Sequence, residues 1–502
     1  MPRLILCLDS GTTSVKAASF DAAGKLVSMA ERPNSALRRS GDRVEQDMDR
    51  SRDDAFAVLS QCMAVSSGEP VGLIVTAQGD GTWPLDAELR PAGLAMTWLD
   101  GRARGLVAEL GAKGALDTIE RSTFSRPTAA SQSLQLLWLS RHQPERFGRI
   151  RHALRLKEWL FLSLTGMLRA EPTALLPTWG DWRNGRVSDA VEQALGLSKG
   201  ASLLPQLLPI GACRADLSPE AAQLTGLPAG IPVLIGRGDV QSSLIGLGLG
   251  INPEVERASI FGTSAIHGCH LADPATMTRR PAGAMVQAFA LGDGYVGFHP
   301  SFNGAPLVDH LRRLTGRAPQ PGAVEPAYSG LILHPFLEPG GERAPITSAQ
   351  ARGAMIGLTA ATTTAQIDWA GREALAFMAK MSHDMMSGSG ALALGGGLSG
   401  DRAFVQFLAT VMQIPVLVSR DGQAGLRGAG AIAAFHLLGV PKEQLAAQWL
   451  SCDVERVAPE TGAVAEYAAH KYALFSALLD AVSPHWPHLC EIEAVTTRIA
   501  TT

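Results

Sequence analysis

The sequence predicts an α/β protein built from more than one domain, and three observations carry that reading. Apolar runs of strand length at residues 4–8, 71–76, 231–235 and 391–394 each lead into a polar turn that holds glycine. Segments with helical spacing of apolar residues, at 48–63 and 364–386 among others, lie between them. The chain is 502 residues long and 46% apolar, which by length is roughly two to four domains with ample material for large cores. Its 53 glycines gather at strand ends, where α/β proteins hold their ligands.

A net charge of −3 with only 18% charged residues gives no basic excess for nucleic acid or an acidic membrane. The cysteines Cys7, Cys62, Cys213, Cys269, Cys452 and Cys490 are scattered without a C-x-x-C pair. That pattern fits free thiols in a reducing compartment, not a disulfide framework or a zinc site. Met1 is followed at once by a strand with no signal-peptide pattern. The apolar stretch 428–440 is interrupted by His436 and falls short of the roughly 20 residues that a membrane span needs. The expectation is a cytoplasmic protein with a small-molecule substrate and no nucleic-acid or membrane partner; a homodimer is left open.

The chain opens on Leu4-Ile5-Leu6-Cys7-Leu8, a buried strand that ends at the carboxylate of Asp9. Ser10, Gly11, Thr12, Thr13 and Ser14 then read as a tight turn. Successive backbone N–H groups in such a turn form a concavity for anions. The hydroxyls of Thr12 and Thr13 add donors and Lys16 adds a positive charge. A carboxylate beside a phosphate cradle suits a Mg²⁺ that keeps its waters and touches phosphate oxygens. A β-hairpin with a merely polar turn is the plain alternative. Residues 17–20 continue as a strand, 21–25 turn, and 26–30 return, so the start is a β-meander. A Walker-type loop would run straight into a helix, and no G-x-x-x-x-G-K-[ST] occurs. Residues 32–43 read as a solvated basic loop before the helix at 48–63.

The strand at 71–76 leads into Gln78-Gly79-Asp80-Gly81-Thr82-Trp83, and Trp98-Leu99-Asp100-Gly101-Arg102 follows a second turn. A sugar or polyol pocket needs amides and carboxylates for vicinal hydroxyls and an aromatic for the C–H face, which Gln78, Asp80, Trp98 and Asp100 supply. A surface turn with a buried Trp and an Asp100–Arg102 ion pair accounts for the same residues equally well. Residues 104–166 are mostly helical in pattern, and Trp179-Gly180-Asp181-Trp182 is an aromatic turn read as packing. The strand at 231–235 ends in Gly236-Arg237-Gly238-Asp239 before a small-residue, helix-like run. A carboxylate at a strand tip in a glycine-bracketed turn is well placed to act as a base; as an alternative or in addition, Asp239 N-caps the helix.

Pro253 marks a plausible domain boundary, and the second half starts afresh. The strand 258–261 and the turn Gly262-Thr263-Ser264 echo the opening strand and its turn, which suggests distant duplicates. His267, Cys269 and His270 have no metal-ligand spacing and read as ordinary strand residues. Residues 336–345 form a polar loop. The strand 391–394 leads into Gly395-Gly396-Gly397-Leu398-Ser399-Gly400 and a helix, then a strand at 416–418. The small-residue helix from Arg427 suits close packing on a nucleotide or another helix, and the tail 441–502 is helical in pattern. Gly395, Gly397 and Gly400 also match G-x-G-x-x-G, with Asp421 near the offset of an acidic ribose ligand. A dehydrogenase is therefore a rival, but it leaves the other loops unused. The run reads better as a platform for the adenine and ribose of ATP.

Four separated motifs together resemble one family, the FGGY carbohydrate kinases. They are Asp9-Ser10-Gly11-Thr12-Thr13-Ser14-Val15-Lys16, Gly236-Arg237-Gly238-Asp239, Gly262-Thr263-Ser264 and Gly395-Gly396-Gly397-Leu398-Ser399, in the family's order over about residues 3–440. The segments 43–48, 78–83, 98–100 and 157–160 look most like the erythritol kinase branch. The resemblance implies two actin-like (ribonuclease H-like) ATPase domains, 1–250 and 251–502, with a cleft between them for ATP. It implies Mg²⁺ at Asp9, phosphates facing Thr12, Thr13 and Lys16, and Gly262, Thr263 and Ser264 closing on them. Gly396, Gly397 and Ser399 would line the nucleoside, Asp239 would be the general base, and Gln78, Asp80, Trp98 and Asp100 would hold the polyol. The chain departs from the family at Arg237, where many members have glycine; a cation there is expected to pair with Asp239 and lower its pKa. The rival from another class is an actin-like protein that uses ATP to switch partner binding and phosphorylates no small molecule.

Overall fold

The computed structural model describes all residues except 182–184, 274–282, 317–324, 339–340, 387, 421, 451–453 and 502. The expectations for Trp182, Pro339, Gly340, Asp421 and Cys452 therefore lie outside the described residues. The chain divides into two units, one of residues 1–251, 285–296 and 423–451, the other of residues 252–284, 297–422 and 452–502.

The first unit is built on the expected meander. β1 (Arg3–Ser10) pairs antiparallel with β2 (Ser14–Asp21), and β2 with β3 (Leu26–Pro33). β1 is also parallel to β4 (Glu69–Ala77), which is parallel to β6 (Pro232–Gly238); β5 (Arg214–Asp216) edges the sheet antiparallel. The order is β5-β6-β4-β1-β2-β3. Leu4 to Leu8 are each at most 1% exposed, as a continuous apolar run buried on both faces requires. The helix α1 (Met48–Ala64) starts where Asp47 accepts the N–H of Arg50 and buries Ala55, Val58, Leu59 and Cys62 against the sheet; α2 (Leu156–Thr165) packs beside it, and α3 (Pro172–Trp179) follows. The stretch read as a solvated loop is instead strand at both ends, in β3 and in Leu37–Ser40, whose partner is Arg43–Gln46. Arg38 and Arg39 are consecutive and exposed on an edge strand, with no alternation to mark it, so polarity masked the extended backbone.

In the second unit, β7 (Arg257–Phe261) pairs antiparallel with β8 (Ala265–Leu271), and β9 (Tyr295–Ser301) follows β8 in the sheet. On the other side β7 is parallel to β10 (Leu392–Gly396), which is parallel to β11 (Val416–Ser419), with β12 (Val454–Val457) antiparallel at the edge. The order β12-β11-β10-β7-β8-β9 corresponds to β5-β6-β4-β1-β2-β3 of the first sheet, with a further strand, Met285–Ala288, outside β9 and with β12 following β11 in the chain where β5 precedes β6; this is the likeness between halves that the two glycine–hydroxyl turns suggested. Among the described residues of the tail, β12 is the one strand, and the rest follows the helical reading. Among the described cysteines none is paired, and no helix of the described residues is long and apolar enough to cross a membrane.

His267, His299 and His383 are buried in the second unit. Ser259 Oγ lies 3.0 Å from His267 Nδ1 and 2.9 Å from His383 Nε2. Burial pushes His267 and His299 down to about 3 and holds His383 well below the usual histidine range. An unfolded histidine titrates near 6.5, so below that pH the unfolded chain binds protons that the folded chain refuses, and stability falls as pH drops toward 3. His267 and His299 then each cost about 2 kcal/mol at pH 5. Replacing His299 with Leu is expected to remove about that much of the pH dependence of unfolding between pH 7.5 and 5. Parallel denaturation curves for variant and wild type across that range would exclude the effect.

Candidate active site

The site of the first unit is assembled at the C-terminal ends of β1, β4 and β6. β1 sets Asp9 opposite Thr76 on β4 and Lys16 on β2. The turn closes when Gly11 N–H donates to the Ser14 carbonyl at 3.0 Å. Asn34 braces it from outside, its side-chain amide donating to the Gly11 carbonyl at 2.9 Å and its N–H to the Thr13 carbonyl at 2.9 Å. Asn34 was missed because it lies in the stretch read as solvated. The Thr13 side chain is exposed, and Lys16 Nζ sits 3.5 Å from Glu31.

Thr12, Gln78 and Trp98, expected in separate phosphate and polyol roles, form one hydrogen-bonded chain. Trp98 Nε1 donates to Thr12 Oγ1 at 2.9 Å, Thr12 Oγ1 donates to Gln78 Oε1 at 3.0 Å, and Gln78 Nε2 donates to Gln46 Oε1 at 2.6 Å. Gln46 is fully buried at the end of its strand; nothing in its local sequence distinguishes it from a surface amide. Asp100 accepts the Val44 N–H at 3.0 Å and the Arg102 guanidinium at 2.7 Å, and Arg102 also bonds Glu45 at 2.7 Å. The ion pair anticipated by the turn reading is thus present and buried.

Asp239 is the first residue of α4 (Asp239–Gly246). Gly238 is the N-cap, so Asp239 does not cap the helix in the expected way; its Oδ1 accepts its neighbour Val240's N–H at 2.9 Å. Burial first, then the negative charges of Asp9 and Asp80, push its carboxyl up to about 7. Asp9 is raised to about 6 by burial, partly offset by Lys16. The structure thus brings Asp239 within electrostatic reach of both Asp9 and Asp80. Asp9 Oδ1 is buried and has no hydrogen-bond partner among the described residues. One carboxylate oxygen left open, crowded by like charge, fits a divalent cation. Among the described residues no cluster of three His, Cys, Asp or Glu could hold a metal by protein ligands alone.

Arg237 does not pair with Asp239. Its guanidinium bonds Glu171, and the Asp239 carboxyl moves up, not down. A partner 66 residues away in sequence leaves no local signal.

In the second unit Gly262 N–H donates to the Ser264 carbonyl at 3.0 Å, a closure one residue tighter than that of the Gly11 turn. Phe261 and Gly396 are cross-strand partners, which sets the Gly262–Ser264 turn beside the glycine run. Gly396 has φ +90°, and a Cβ there would lie 2.4 Å from the Phe261 carbonyl oxygen, so only glycine fits. Gly396 and Gly397 are exposed, and Ser399 Oγ donates to the Gly396 carbonyl at 2.7 Å. The small-residue helix α5 (Ala424–Leu438) packs on α4, one of the two outcomes its composition allowed.

Family models for the N-terminal and C-terminal domains of the FGGY family of carbohydrate kinases match residues 4–246 and 258–437. The erythritol kinase of Brucella abortus (strain 2308) is 28% identical, covering 97% of this chain and 98% of that protein. The xylulose kinase of Streptomyces coelicolor is 28% identical over 89% of this chain and 90% of that protein. The ligand-bound xylulose kinase structure from Lactobacillus acidophilus superposes with a TM-score of 0.86 at 20% identity, covering 97% of this chain and all of that one, a likeness of fold. With two actin-like units of repeated topology and matches over both halves, the chain belongs to the FGGY family of carbohydrate kinases and is a sugar or polyol kinase.

Proposed function

We propose that the chain transfers the γ-phosphoryl group of ATP to a primary hydroxyl of a small polyol or ketose, erythritol first among the C4 and C5 candidates. The observation that carries this reading is Asp239, a strand-tip carboxyl held near neutrality beside Asp9 and Asp80. Similarity to an erythritol kinase along nearly the whole chain supports the choice of acceptor.

In this reading Asp239 accepts the proton of the attacking hydroxyl and orients it. Gln78, Asp80 and Trp98 contact the acceptor, and Asp100 forms a wall braced by Arg102. The Gly11 turn, with Thr12, Thr13 and Lys16, and the turn of Gly262, Thr263 and Ser264 hold phosphate oxygens. Gly396, Gly397 and Ser399 line the base and ribose. Asp9, with its open Oδ1, would hold Mg²⁺, and the bound ion would offset charge on the phosphates. Phosphoryl transfer asks mainly for alignment and charge stabilisation, which these groups supply.

The test is ADP release from MgATP with erythritol, threitol, glycerol, xylitol, ribitol, both xyluloses and ribulose. Stimulation by one of them is expected. A flat panel over a steady background would instead favour an ATP-driven partner switch. Asp80→Ala is expected to raise the acceptor KM by about tenfold or more, the scale of a lost charge-assisted hydrogen bond, with the KM for ATP little changed. An unaltered acceptor KM would remove Asp80 from the pocket.

A further inference from the structure

β6 reaches its end through an irregularity. Against β4, Ile235 pairs with Val75 and Gly238 with Ala77, so three steps on β6 match two on β4. A bulge of this kind bends the strand and re-aims the side chain that follows, and Asp239 is the residue that follows β6. Arg237 lies inside the bulge. Its carbonyl accepts the Thr76 hydroxyl at 2.6 Å, and its guanidinium, on a side chain that is 4% exposed, bonds Glu171.

Glu171 is itself held on several sides. It is the N-cap of the helix Pro172–Trp179 and accepts the Thr173 N–H at 2.9 Å and the Thr173 hydroxyl. Lys157 Nζ lies 2.7 Å away and also bonds Glu158. Arg237, Lys157, Glu158 and Glu171 are all buried. Two cations face two carboxylates, so the cluster is neutral as a whole. Burying four charges is costly unless each is well paired, and this pairing joins the bulge to the start of a helix.

We infer that Arg237 and Glu171 are positioning residues, whose buried contact fixes the β6 bulge and thereby the direction of the Asp239 carboxylate. This rests on Asp239 being the base in the reading above. Arg237 offers a planar fork with donors at set angles, which lysine lacks. A displacement of about 1 Å at a reacting group is enough to cost on the order of a hundredfold in rate.

The test uses Arg237→Lys, which keeps the charge balance and loses the fork, together with Glu171→Gln and the double variant Glu171→Gln/Arg237→Lys. Two readouts are taken on the full chain: acceptor-dependent kcat with the KM for ATP, and amide hydrogen exchange of the peptide 232–241 without ligands. Arg237→Lys is expected to lower kcat about tenfold or more, leave the ATP KM within about twofold, and speed exchange in that peptide. The double variant should lose no more than the worse single one, because both act through one contact. Should Glu171→Gln fail to fold, Arg237→Lys alone carries the test. Unchanged exchange in Arg237→Lys overturns the inference whether or not any acceptor in the ADP-release panel is phosphorylated. Faster exchange with wild-type kcat, in an active kinase, overturns it too.

Discussion

Asp239→Asn is expected to lower acceptor-dependent turnover by about 10²- to 10⁴-fold, the usual worth of a positioned general base, and at the same time to stabilise the protein at pH 8. The two effects have one cause. The folded carboxyl titrates near 7, because burial and the charges of Asp9 and Asp80 oppose its ionisation. In the unfolded chain an aspartate titrates near 3.9. Stability is therefore undiminished below about pH 4 and is lost progressively as pH rises toward 7, by about 4 kcal/mol in total. Asparagine carries no charge and still accepts the Val240 N–H, so it removes that deficit. The gain in melting temperature should be clear at pH 8 and small at pH 5. Turnover within tenfold of wild type would sink Asp239 as the base. A lower melting temperature at pH 8 would show that the ionised carboxylate is not held at a cost in stability.

Gly428→Ala is expected to be the most disruptive single methyl group in the first unit. α4 and α5 approach until their backbones touch: a Cβ on Gly246 would lie 1.8 Å from the Ala424 carbonyl oxygen, and one on Gly428 would lie 1.8 Å from that of Ser242. No rotamer relieves such a clash, so the helices must separate by roughly 1.5 Å to restore ordinary contact in a close-packed interior. Overpacking of this kind costs about 3 kcal/mol or more. Since α4 begins at Asp239 and Gly425 lies against Asp9, turnover should fall together with stability. Gly105→Ala, on a helix where a Cβ meets nothing within 4 Å, is the control and should be neutral or slightly stabilising. Equal melting temperatures for the two variants would contradict the close approach.

What was legible in the sequence was what chain neighbours decide. Apolar runs such as residues 4–8 are long enough to name a strand, and Gly11, Gly262 and Gly396 mark turns because few other residues serve there. Those signals located both hydroxyl turns, the Asp239 tip and the repeat between halves. The partners were not legible, because pairing across long separations leaves no trace in composition. Arg237 next to Asp239 reads as a pair, yet the nearer neighbour in space is Glu171. Thr12 and Trp98 read as members of two pockets, yet they share a hydrogen bond. The edge strands at 37–40 and 454–457 each carry two consecutive charged residues, Arg38-Arg39 and Glu455-Arg456, which resembles a loop or a helix surface until a neighbouring strand fixes the backbone.

The first unit is not one continuous stretch of chain: residues 423–451 return to it after most of the second has been made. α5 lies across β1 and β4, and a Cβ on Gly430 would come within 3.2 Å of Cys7 Sγ and 3.3 Å of the Phe20 ring. A nascent chain leaving the ribosome therefore presents that face of the first sheet uncovered until residues 423–451 have been synthesised, after most of the second unit. Asp9 and Asp239 are translated before most of the second unit, and the helix that completes their setting comes only after it. Translation itself thus delays activity until the second unit's sheet has nearly all emerged, and it leaves the early product dependent on whatever shields apolar surface in the cell.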